Sequence, residues 1–165
     1  MSENYAEHPV AVVLKAVQEA LRQRLDSSVY RAVDIYLVKF EGPQNAALLP
    51  PGTRLPAIGI KDGGSIVEQG VCNTDIWTIN IQLQLWDSGA GLTDAAILGS
   101  SSQRGILAME RDIANALRSD RLGCMEGGWQ IASAEPSVGG EAGGQDVQMK
   151  KITYQYIIED KWGIN

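Results

Sequence analysis

One histidine, two cysteines and one phenylalanine occur in the whole chain. His8 stands beside Pro9 near the N-terminus, without the positioned companions that a metal site or a general base needs. Cys72 and Cys124 are far apart and form no CxxC or Cys/His group, so they read as ordinary thiols of a reduced, cytosolic protein. No apolar run approaches the roughly 18 residues of a membrane span, and no secretory leader precedes the first element. Phosphate loops are missing too. No GK[ST] occurs, and the glycines of "GGEAGGQ" lead into a strand pattern rather than a helix. The serines of "GSSSQRG" form no GxSxG elbow. Glu110 and Asp112 flank Arg111 on a predicted helix, where residues two apart do not face each other. That trio reads as a solvated face. Basic excess is absent as well: a net charge of −6 and a pI near 4.8 disfavour binding of nucleic acid from free solution. Neither catalysis nor a cofactor nor a metal is expected, and the four tryptophans read as core or interface rather than a stacking platform.

What the chain does contain is patterning. Its 165 residues, 44% hydrophobic and 21% charged, suit one domain of about 100–200 residues. In "DIWTINIQLQLWDSGAG", Trp77, Ile79, Ile81, Leu83 and Leu85 alternate with Thr78, Asn80, Gln82 and Gln84. A strand has period two, so the first set lines one sheet face and the second set the other. The apolar face must be buried. The polar face has no charge from Thr78 to Gln84, which is unusual for a surface left in water and suits another protein chain or an enclosed channel.

The remaining elements follow the same logic. After an N-terminal tail (1–8), Pro9 opens an amphipathic helix whose stripe is Val10, Val13, Leu14, Val17, Leu21 and Leu25. "VDIYLVKFEG" is a short strand, and "GPQNAALLPPGTRLP" is a loop that its prolines and glycines keep out of regular structure. "AIGIKDGG" reads as a strand ending in a turn at Asp62-Gly63-Gly64, with "SIVEQGV" as its return. A second helix spans about Gln103 to Asp120, with an N-cap offered by Ser100–Ser102 and an earlier helical turn within Thr93–Leu98. "WQIASAEP" and "DVQMKKITYQYIIED" are strands, and "PSVGGEAGGQD" between them is a long hairpin tip, either flexible or shaped by a neighbouring subunit. The expected fold is α+β: a mainly antiparallel mixed sheet with two amphipathic helices packed on one face. One domain covers 9–162, and 163–165 form a C-terminal tail.

The order of these features, and in particular "LPAIGI", "INIQLQLWD", "ILAMERDIANAL" and the final "ITYQYIIEDKW", resembles the tail terminator, or tail-completion, proteins of tailed bacteriophages. The resemblance spans about 9–162 and rests on order and texture. It implies a structural virion protein, assembled in the host cytoplasm, whose copies form a homohexameric ring. That ring caps the tail tube, ends its polymerisation and offers a surface for head–neck joining. Implied partners are further copies of the chain, the tail tube protein, a neck or head-completion protein and, as a further candidate, the tape-measure protein. DNA would only pass through the lumen, and no membrane is involved. The chain departs from the family in its expanded stretches 87–105 and 136–146 and in its own N-terminal extension. Related folds occur at other neck, tube and sheath-associated stations, which is the alternative reading. A small cytosolic ligand-binding domain is a more distant one.

The residues expected at interfaces are the row Thr78, Asn80, Gln82 and Gln84, which can hydrogen-bond without the desolvation cost of buried charge. To these are added Pro50, Pro51 and Arg54 in the proline-rich loop and Gly139, Gly140, Gly143 and Gly144 at the glycine-rich tip.

Overall fold

The computed structural model describes residues 7–36, 49–90, 94–118, 130–142 and 144–161. Helix α1 (Pro9–Arg24) begins as expected, with proline in the first turn. His8 is more than a tail residue. Its Nδ1 accepts the Val10 amide at 3.2 Å, capping the helix, and its ring meets Trp77 edge-on at 5.1 Å.

Six strands follow: β1 (Ala32–Ile35), β2 (Ala57–Gln69), β3 (Thr74–Ser88), β4 (Gln130–Ala134), β5 (Val138–Ala142) and β6 (Gln145–Lys161). The sheet order is β1-β2-β3-β6-β4, and β5 pairs a second stretch of β6. Only β1–β2 is parallel. A one-turn helix α2 (Ala95–Leu98) and helix α3 (Ile106–Arg118) connect β3 to β4. The fold is α+β with a mixed, mainly antiparallel sheet, and strand predominates.

The apolar row of β3 meets the helices. Ile79, Ile81, Leu83 and Leu85 are fully buried with Val13, Val17 and Leu21 of α1 and Ile106, Met109, Ile113 and Leu117 of α3. Ile152, Tyr154 and Tyr156 of β6 complete this core. A smaller apolar cluster lies elsewhere, formed by Leu49, Ala57, Trp86 and Val147 with Tyr36 and Met149 packed against it.

Several expectations change. Asp62-Gly63-Gly64 is no turn, because β2 runs straight through it for 13 residues. Two glycines there oppose the single residue Asn80, which makes a β-bulge. Gly64 has φ +96 and donates its amide to Asp62 Oδ1 at 2.8 Å. The extra residue shifts the alternation, so Ile66 joins the face of Thr78 and Val67 the face of Trp77. The Ser100–Ser102 run does not cap α3. Gly105 precedes the helix, its carbonyl accepts the Met109 amide, and its φ is +83. A Cβ on Gly105 would lie 2.4 Å from the Gly99 nitrogen, so the two loop backbones touch where only glycine fits. "PSVGGEAGGQD" is a hairpin as expected, but most of the expected long tip is paired strand, Val138–Ala142 of β5 lying against β6. Cys124, Trp129, Trp162 and the stretch 37–48 lie outside the described residues.

Candidate functional site

Register assigns the second sheet face row by row, since directly paired residues in antiparallel strands share a face. Ile66, Thr78 and Ile157 form one row; beyond the bulge, Asn80 pairs with Gln155. Next come Lys61, Gln82 and Thr153, then Gly59, Gln84 and Lys151, and last Ala57, Trp86 and Met149. Thr78, Asn80 and Gln82 are half-buried, and the Gln155 amide donates to Asn80 Oδ1 at 3.3 Å. No described helix packs on these rows.

Two features differ from the sequence expectation. Gln84 is not on an open surface: it is 3% exposed, next to the fully buried Trp86. The face is also not free of charge. β3 contributes only uncharged side chains, but its neighbours bring Lys61 and Lys151 beside Gln82 and Gln84. Glu135 follows, its amide bonded to the Lys151 carbonyl at 2.9 Å. Burial pushes the Lys61 ammonium below its ordinary pKa, Lys151 adds repulsion, and Glu135 opposes both. Burial, with Asp34 nearby, raises the Tyr36 phenol to about 12. Gln82 Oε1 is buried with no hydrogen-bond partner among the described residues. An acceptor in that state costs free energy that an added donor would recover.

The proline loop is pinned to the β5–β6 hairpin. Pro50 and Pro51 are exposed, the Thr53 amide donates to the Pro50 carbonyl at 3.2 Å, and Gly52 supplies φ +78. Gln145 Nε2 then donates to the Thr53 carbonyl at 2.9 Å. Arg54 is exposed and makes no ion pair among the described residues. Gly139 and Gly140 lie within β5, opposite Gln148 and Val147, and Gly144 takes φ +76 in the turn. Gly143 lies outside the described residues. The loop and the hairpin thus adjoin the Trp86 end of the amide face, where Leu49, Ala57, Trp86 and Val147 form the smaller apolar cluster.

The Glu110–Arg111–Asp112 trio is not merely a solvated face. Asp112 accepts from Tyr30 Oη at 2.5 Å and from Arg104 Nε at 2.8 Å and Nη2 at 2.6 Å. Burial works against the ionised Asp112, but the Arg104 and Tyr30 bonds outweigh it and hold the carboxyl below its ordinary value. Burial first, then the bond to Asp112, raises the Tyr30 phenol. Glu110 reaches Lys150 at 2.5 Å. These bonds tie α3 to the loop after α1 and to β6, which is a positioning role. No group of three or more His, Cys, Asp or Glu residues able to hold a metal occurs among the described residues.

The arrangement defines a class: an α+β fold with helices on one sheet face and a largely polar second face. No protein-family model matches the chain, and a search of curated proteins returns no match. Among the described residues no helix is long and apolar enough to cross a membrane.

Proposed function

We propose that this chain is a structural, non-catalytic assembly subunit: a tail terminator of a tailed-phage particle whose copies close into a hexameric ring on the tail tube. The observation that carries the reading is the second sheet face. Half-buried amides and a hydroxyl, a buried Gln82 oxygen lacking a donor and exposed Ile66 and Ile157 are what a surface completed by other chains requires. The element order that resembles the terminator family supports the particular station. Partners on this reading are further copies, the tube protein and a neck or head-completion protein, with the tape-measure protein as a further candidate. DNA passes through the lumen, and the protein resides in the virion.

Lys61 and Lys151 refine which surface lines that lumen. Two lysines against the single carboxylate of Glu135 leave the row cationic, which would hold passing DNA, so it suits protein contact better than a DNA path. Negative-stain imaging of the purified protein, alone and with tube protein, tests the proposal. Closed rings capping tubes of limited length are expected. A monomer at every salt and protein concentration, with and without tube protein, overturns it. Another neck or sheath-associated station is the second reading, favoured if the rings bind neck protein but leave tube growth unchanged.

A further inference from the structure

The end of the sheet farthest from Ser88 is a three-stranded arm made of β2 from Ser65, the first part of β3 and the end of β6. Its apolar residues face solvent: Val71 at the turn is 82% exposed, Ile66 62%, Ile157 55% and Val67 45%. Carboxylates surround them. Glu68 and Glu159 flank Ile76 in register, and Asp75 and Asp160 pair in the next row. None of the four makes an ion pair among the described residues. The turn itself holds Cys72 and Asn73, both at φ 57.

The opposite end of β3 offers the complement. A cleft of about 770 Å³ opens there beside Ser88, walled by Arg54, Arg104, the Ser100–Ser102 run and Leu98, and also by Asp87, whose carboxylate is taken up by the Ser88 and Gly105 amides. Arg104 is already bound to Asp112, but Arg54 is exposed and unpaired among the described residues, and Leu98 is 66% exposed. A convex, acidic and apolar hairpin thus matches a concave, cationic and hydroxyl-lined cleft with an apolar wall. The two cannot meet within one chain. β3 has 15 residues, which at about 3.3 Å each separate its ends by roughly 50 Å.

We infer that the arm tip of one copy seats in the Arg54 cleft of the next, joining copies head to tail. This rests on the self-assembly reading above and deepens it by naming the contact. Such a contact uses different surfaces on the two copies, so it propagates until the rotation between copies closes it. Charge complementarity selects this order, because tip-to-tip contact would oppose carboxylates.

The exposed Cys72 supplies the probe. Ser101→Cys in a Cys124→Ser background should form an intermolecular disulfide with Cys72 on mild oxidation, giving a ladder of covalent multimers. Ser101→Cys combined with Cys72→Ser should give none. Glu68→Lys with Glu159→Lys, and separately Arg54→Glu, should each weaken association by about tenfold or more at low salt. Combining the three should restore part of it. Thermal melting of the dilute charge-reversed proteins should be unchanged, since Glu68, Glu159 and Arg54 are exposed.

Wild-type-like association in both charge-reversed proteins, or disulfides in the Cys72→Ser control alone, overturns the contact. A covalent product that stops at dimer overturns the head-to-tail order. Rings that form normally without the Cys72 cross-link reject this contact and leave the ring proposal standing. A covalent ladder without closed rings does the reverse.

Discussion

Asp87 Oδ2 accepts the Gly105 amide at 2.7 Å, while Oδ1 accepts the Ser88 amide at 2.8 Å. One carboxylate at the end of β3, only 3% exposed, thereby fixes the backbone that opens α3. Gln103 adds a bond from Nε2 to the Ser88 carbonyl at 2.5 Å. Strand and helix are locked together at the point where the Trp-Asp pair ends the alternating row. Asp87→Ala should cost about 2–3 kcal/mol, because the buried Gly105 amide and the half-buried Ser88 amide lose a charged acceptor. Urea denaturation of the monomer would measure it, and Asp87→Asn should recover part of the loss.

Ile81 is fully buried among α1, α3 and β6. Ile81→Val should cost about 0.5–1.5 kcal/mol. Ile81→Asp should unfold the protein, since it buries an unpaired charge. Circular dichroism and thermal melting would read both, and an unchanged melt for the aspartate variant would contradict the assigned face.

The Asp112 carboxyl titrates below its ordinary value of 3.8 in the folded protein. In that range the unfolded chain binds more protons, so stability rises with pH. Its contribution is therefore fully present above about pH 5 and is lost as pH falls through the folded value. Asp112→Asn should lower Tm at pH 7 and flatten the dependence of Tm on pH between about pH 5 and pH 2. A slope identical to wild type would refute the assignment.

On the proposed assembly reading, Gln82 separates folding from association. Replacing it with Met removes the buried unpartnered oxygen, so the isolated subunit should melt at a slightly higher temperature. If this row is an interface, association should weaken in sedimentation velocity, because its buried acceptor is gone. A parallel change in both quantities would argue against an interface at this row.

Lys61 carries a charge that burial and Lys151 disfavour. A base whose pKa is depressed on folding destabilises the folded state while it stays protonated, and that penalty fades as pH rises through the folded value. Lys61→Gln should therefore raise the Tm of the monomer at neutral pH. The gain should shrink at high pH, as scanning calorimetry would show.

Periodicity made the larger parts of this fold legible. The alternation from Trp77 to Leu85 and the stripes of α1 and α3 each report their own environment locally, and they name the buried face without any partner. Register is different, because it depends on pairs distant in the chain. Lys61 and Lys151 reach the amide row only through pairing with Gln82 and Gln84, which no local spacing encodes. Tyr30 and Lys150 meet the α3 carboxylates across sequence gaps of 82 and 40 residues, so that trio looked solvent-facing. Gly63-Gly64 after aspartate carries turn chemistry, yet both flanking segments find partners on the same strand, and a bulge results. Of the candidate site, the residue types on β3 were legible, whereas the burial of Gln84 and the pinned loops were not.

β3 is hydrogen-bonded along nearly its whole length, to β2 on one side and β6 on the other. Ladder bonds in antiparallel sheets lie perpendicular to the strands. A tension applied along β3 therefore loads its bonds together in shear, whereas a sideways pull on the arm would open them one at a time, like a zipper. If copies are joined end to end through this strand, pulling force travels along the stiff axis of each subunit and bypasses the helices.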